Sequence, residues 1–158
     1  MGATEESWAG AGASTARSSD LQLHHDVSQV LLRYASAIDH RQWETLATVF
    51  STDAEGRYAG RDPLHGRDPI VAWIKQSCEP MAWQHHLLSV YHIERVGPDE
   101  VSALTYHTSH QCTHDDPDTV KVLVGRYYDR LRLADDGGWV ISYKDFQVGW
   151  RETRRRPS

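Results

Sequence analysis

Asp39 closes a helix-like stretch, Tyr34-Ala35-Ser36-Ala37-Ile38-Asp39, and far downstream Trp83-Gln84-His85-His86-Leu87-Leu88 opens a strand-like one. A carboxylate held against one imidazole nitrogen fixes the ring's tautomer and stabilises the imidazolium that forms when the other nitrogen takes a proton. Such a pair is a general base for work near neutral pH, provided the fold brings a helix end to a strand start. Neighbours on a strand point to opposite faces, so His85 shares a face with Leu87 and Ser89, and His86 with Leu88 and Val90. One of the two must face inward, and alternation alone does not say which. Tyr34, Tyr58 and His110 are the other groups that could share or move a proton beside Asp39 and the histidine.

Competing chemistries find little support. His107, His110 and His114 have gaps of three and four, which is ligand spacing on a helix, but on a strand His107 and His110 point apart. No bound metal is therefore expected. The chain has no Gly-x-Ser-x-Gly elbow, no P-loop and no Gly-x-Gly-x-x-Gly, so neither a serine nucleophile nor a nucleotide cofactor is expected. Cys78 and Cys112 form no CxxC pair and read as free thiols of a cytoplasmic protein.

Six Trp and seven Tyr stand against two Phe, a bias toward rings that can also hydrogen-bond and so toward a pocket wall. Trp43, Trp73, Trp83, Tyr106, Tyr127 and Trp150, together with His86, are the expected lining. The net charge is -5; the last eight residues hold four Arg and one Glu, so the remainder carries -8. An acidic body argues against a nucleic-acid surface. No apolar run approaches the roughly 20 residues of a membrane span, and the N-terminus lacks a signal-peptide layout.

The elements that must position these groups can be outlined. Residues 1–19, rich in Ala, Gly, Ser and Thr, read as a disordered lead-in, 20–151 as one domain and 152–158 as a basic tail. Asp20 is the expected cap of a first helix whose stripe is Leu23, Val27, Val30, Leu31, Tyr34 and Ile38. A second helix is expected over Trp43 to Phe50, closed by Ser51-Thr52-Asp53. A short strand over 54–59 and a loop over 60–66 follow. Asp68-Pro69 starts a third helix that ends before Glu79-Pro80. Four strand-like runs, at about 83–96, 100–114, 119–133 and 138–150, are separated by turn-rich segments. The class is α+β: three helices packed on a curved, mostly antiparallel sheet.

Taken in order, several of these residues resemble the SnoaL-like branch of the nuclear transport factor two superfamily. They are Tyr34, Asp39 and Trp43; Leu46, Phe50 and Asp53; Gly66 to Asp68; Gln84 and His85; Gly125, Tyr127 and Asp129; and Gly137 to Trp139. The resemblance implies a cone-shaped α+β barrel with a deep pocket at its open end. Its members include scytalone dehydratase, bile-acid 7α-dehydratase, a dehydrochlorinase and polyketide cyclases, but also non-enzymes. In the dehydratases an Asp supports a His that abstracts a proton as a leaving group departs. Asp39 and His85 match those two positions, Tyr34 looks like a tyrosine ahead of the Asp, and Tyr58 and His110 look like a pocket tyrosine and second pocket histidine. The expected function is a cofactor-independent dehydratase, isomerase or cyclase acting on a small hydrophobic, oxygenated ring compound. The rival is a non-catalytic binding module of the same fold. The broad sheet face left by three short helices also predicts a homo-oligomer, a dimer or trimer.

Overall fold

Leu23, Val27, Val30, Leu31, Tyr34 and Ile38 are all buried, so the expected stripe is the face by which the first helix packs. The computed structural model describes residues 10–155, with side chains from residue 19 onward. The helices are α1 (Gly10–Asp39), α2 (Trp43–Thr48) and α3 (Arg67–Cys78). The strands are β1 (Phe50–Tyr58), β2 (Leu64–His65), β3 (Met81–Gly97), β4 (Glu100–Thr113), β5 (Thr119–Leu133) and β6 (Trp139–Arg155). The class is the expected α+β. Three helices cover one face of a six-stranded mixed sheet in the order β2-β1-β6-β5-β4-β3, which curves like a cone without closing.

Several boundaries differ from expectation. Helix α1 begins at Gly10, so Asp20 lies inside it and caps nothing. Of the disordered lead-in expected over 1–19, residues 10–19 are helical instead, and 1–9 lie outside the described residues. Helix α2 ends at Thr48, and Phe50 begins β1, which absorbs the Ser51-Thr52-Asp53 expected as a turn. Strand β1 pairs in parallel with β6, Phe50 opposite Ile141 and Tyr58 opposite Phe146. A parallel neighbour has no hairpin to announce it in sequence. The arginines expected as tail belong to β6 as far as Arg155, where Val120 pairs with Arg154 and Thr119 with Arg155.

Strands β3 to β6 form the expected antiparallel meander. On β4 the inner face is Val101, Ala103, Thr105, His107 and Ser109, all buried, while the residues between them are more exposed. Phe50, Leu46, Ile70, Leu131 and Ile141 are fully buried between helices and sheet. Burial of such a side chain contributes about 1.5–3 kcal/mol relative to leaving it exposed. Two glycines are required by geometry. Gly66 takes φ 92 to turn the chain from β2 into α3. At Gly125 a Cβ would clash with the Gln147 carbonyl oxygen, where β5 and β6 approach closely beside a bulge. Among the described residues no helix is long and apolar enough to cross a membrane. Cys78 and Cys112 are unpaired and buried.

Candidate active site

The end of α1 is fastened before it presents Asp39. Gln84 Nε2 donates to the Ile38 carbonyl at 3.0 Å, occupying one of the carbonyls a helix terminus leaves open. The Arg41 guanidinium donates to the carbonyl oxygens of Met81 and Cys78, tying the turn to the start of β3 and the end of α3. Arg41 itself sits at φ 57, the left-handed residue that reverses the chain into α2.

So held, Asp39 turns both carboxylate oxygens toward β3. The His86 backbone N–H donates to Oδ2 at 2.8 Å, and His86 Nδ1 lies 2.6 Å from Oδ1. An ionised carboxylate only accepts, so Nδ1 carries the proton and Nε2 is left with its lone pair. Both side chains are largely buried, His86 at 8% exposure and Asp39 at 16%.

The expected partner was His85, and here the register corrects the reading. Strand β3 pairs with β4 so that His86 faces Ser109 and His85 faces His110. A bulge between Met81 and Trp83 sets this phase, and Gln84, His86 and Leu88 fall on the inner side with the core. His85 stands on the outer face, its ring stacked 4.8 Å from that of His110 and edge-on to Trp83. Partial burial and the neighbouring His110 hold the His85 imidazole below its ordinary range. His85 shares an outer groove with Asp39 but makes no hydrogen bond to it, and neither His85 nor His110 lines the inner cavity.

That cavity, of about 330 Å³, lies between helices and sheet. Tyr34 and Ile38 of α1, Tyr58 of β1, and Trp73, Ile74, Ser77 and Cys78 of α3 form one side. His86 of β3, His107, Ser109 and Gln111 of β4, Leu123 and Tyr127 of β5 and Phe146 of β6 form the other. Its size suits a small ligand, since such pockets start near 300 Å³. Of the expected lining, Trp73, His86 and Tyr127 are in place, as are Tyr34 and Tyr58. The others are elsewhere. Trp43 packs against the edge of the core. Trp83 and Tyr106 stand on the outer face, 52% and 38% exposed, and Trp150 lines an adjoining groove. Aromatic character marked these residues, but strand phase decides which face each occupies.

Burial pushes the phenols of Tyr34, Tyr58 and Tyr127 above their ordinary range, so all three stay as neutral O–H groups. The Tyr58 hydroxyl is buried beside that of Tyr34, and its ring stacks on Trp73 at 4.6 Å. Behind the tyrosines lies a buried ion pair. Lys144 Nζ is 2.8 and 2.9 Å from the two oxygens of Asp129, and 4.3 and 4.0 Å from the ring centroids of Tyr34 and Tyr127. Burial pushes the Asp129 carboxyl up and the Lys144 ammonium down, against their mutual attraction.

His107 is the site residue that sequence reading missed. Its ring is 5.2 Å from that of His86 and is bracketed by Tyr127 and Phe146, and neither ring nitrogen has a partner. Burial first, then the neighbouring His86 and Lys144, lowers its pKa to about 3, so it is a neutral imidazole with one N–H to offer. The signal was there: His107 alternates in phase with Val101, Ala103 and Thr105.

This burial predicts an acid response. The unfolded chain protonates His107 near 6.5 and the folded protein only near 3, so stability that is full above 6.5 is lost as pH falls toward 3. His107→Phe should therefore lessen the loss of unfolding free energy between pH 7 and pH 4 by on the order of 3 kcal/mol. Urea unfolding of both proteins at the two pH values measures it. Parallel losses would mean that His107 is protonated in the folded protein.

Comparison with known proteins agrees with this architecture. A scytalone dehydratase candidate from Novosphingobium aromaticivorans superposes with a TM-score of 0.80 at 18% identity, covering 90% of this chain and 94% of that one. A type 2 hexachlorocyclohexane dehydrochlorinase (LinA) gives 0.78 at 16% identity, covering 88% and 95%. An uncharacterized protein of Mycobacterium tuberculosis is 29% identical over 117 residues, 73% of this chain and 78% of its own. The family model for the SnoaL-like domain matches residues 19–145, most of the chain. With the fold and that match together, the chain belongs to the SnoaL-like family of the nuclear transport factor two superfamily.

Proposed function

We propose that the protein is an acid–base enzyme that needs no cofactor, a dehydratase, isomerase or cyclase, acting on a small hydrophobic, oxygenated ring compound. The observation that carries this reading is the Asp39–His86 pair: Nδ1 bonded to the carboxylate at 2.6 Å, in a ring that lines a cavity of small-molecule size. Nε2 takes a proton from carbon next to a carbonyl or opposite a leaving group. The C–H electron pair moves into the new double bond, and either the carbonyl oxygen gains charge or a hydroxyl departs. Asp39 balances the imidazolium that forms. The Tyr58 hydroxyl, the Tyr34 hydroxyl or the His107 N–H donates to the oxygen that gains charge, and the apolar walls strengthen these bonds by excluding water.

The superposed dehydratase candidate and dehydrochlorinase both carry names of elimination chemistry, which favours elimination among the three reactions. The test is a panel of cyclic β-hydroxy ketones and cyclic ketones incubated with the protein in deuterated water and followed by proton NMR. Loss of water or deuterium uptake next to the carbonyl, accelerated by the wild type and not by His86→Ala, is the expected result. Equal behaviour of the two proteins across the panel would favour a pocket that binds without chemistry.

A further inference from the structure

The cavity wall contains no carboxylate, and its two fixed charges are both positive: Arg61, in the loop after β1, and Arg151, in the outer half of β6. The chain as a whole carries -5, and it pairs Arg57, Arg130, Arg132 and Arg154 with nearby carboxylates. Among the described residues, neither Arg61 nor Arg151 makes an ion pair, although acids are at hand. Asp62 follows Arg61 in sequence without pairing to it, and Asp145 accepts from Gln147 at 2.8 Å. The Arg61 guanidinium lies 6.0 Å from the Trp73 ring centroid, a placement that keeps its charge beside the cavity.

Both arginines are exposed, whereas Tyr58 and His107 are buried and neither ring nitrogen of His107 meets a partner. The cavity therefore has a cationic rim and a neutral, hydrogen-bonding interior beside His86. We propose that the substrate is a ring carboxylic acid, its apolar ring inside the cavity and its carboxylate held at the rim by Arg61 and Arg151. This rests on the reading above, in which the reacting carbon approaches His86. Guanidinium suits the role, because its planar donors match both oxygens of a carboxylate. At an exposed rim such contacts orient and select more than they tighten binding.

The test compares 2-naphthoate with 2-naphthylmethanol, which share a ring system and differ in charge, by calorimetric titration. The wild type should bind the acid about three- to tenfold more tightly than the alcohol. Arg61→Gln and Arg151→Gln should each lose part of that preference, and the double variant all of it. Affinity for the alcohol should stay within about twofold. Raising the salt concentration should shrink the preference in the wild type and in each single variant, and change nothing in the double variant. Melting temperatures confirm that the exposed substitutions leave the fold intact. Equal binding of the two probes by the wild type, a preference that survives in the double variant, or no binding of either probe at millimolar concentration would overturn the proposal. Acid preference without turnover of any ring substrate would keep the anion site and sink the acid–base reading. Turnover with equal binding of the probes would do the reverse.

Discussion

Replacing His86 by alanine should lower turnover by about 10²- to 10⁴-fold, the usual contribution of a positioned general base. His85→Ala should leave turnover within a few-fold of wild type, because His85 lies on the far face of the sheet from the cavity. Asp39→Asn should keep the shape of the site but remove the charge that balances the imidazolium, costing on the order of 10²-fold or more. A readout that needs no substrate accompanies these rates. The short Nδ1–Oδ1 bond should give a strongly downfield imidazole proton, present in wild type and His85→Ala and absent from Asp39→Asn and His86→Ala. An active His86→Ala protein, with turnover lost in His85→Ala, would refute the assignment of the base. If all three variants turn over normally and only melt lower, the pair is structural.

Asp129→Ala should be the most destabilising of the single substitutions considered, by about 3–5 kcal/mol, because it leaves the Lys144 ammonium buried without a counter-charge. Lys144→Met should cost a similar amount for the mirror-image reason. The double variant Asp129→Leu with Lys144→Met should recover most of the loss, since an apolar pair of similar volume removes the desolvation penalty along with the attraction. Urea denaturation of the three variants at pH 7 measures this. Single losses under about 1 kcal/mol would mean that water reaches the pair and screens it. The pair also supports the site, because Lys144 lies against the rings of both Tyr34 and Tyr127.

Much of the scaffold was legible because it depends on local pattern. The α1 stripe, the Pro69 in the first turn of α3 and the four meander strands each rest on periodicity or turn chemistry within about fifteen residues, although Asp68, expected as the cap of α3, lies inside that turn and Gly66 holds the cap position. What was not legible is non-local. The pairing of β1 with β6 joins residues far apart in sequence and leaves no trace in either strand. Aromatic composition pointed to a pocket, yet only part of the expected wall lines it, because composition carries no phase. Trp83 and Tyr106 have the same chemistry as Trp73 and Tyr127 and face the other way.

The site divides along the same line. Local pattern establishes that a carboxylate ends the first helix, that adjacent histidines open the first long strand, and that the two must present opposite faces. Those facts follow from the periods of helix and strand. Which histidine meets Asp39 depends on how the folded sheet sets the phase of β3. A one-residue change of register inverts every side chain on a strand, and here the phase is set by the bulge after Met81, by Gln84 bonding to the end of α1, and by Leu88 packing into the core. The tertiary structure also brought His107 beside His86 and left Arg61 and Arg151 unpaired at the rim, contacts between residues that share no local pattern.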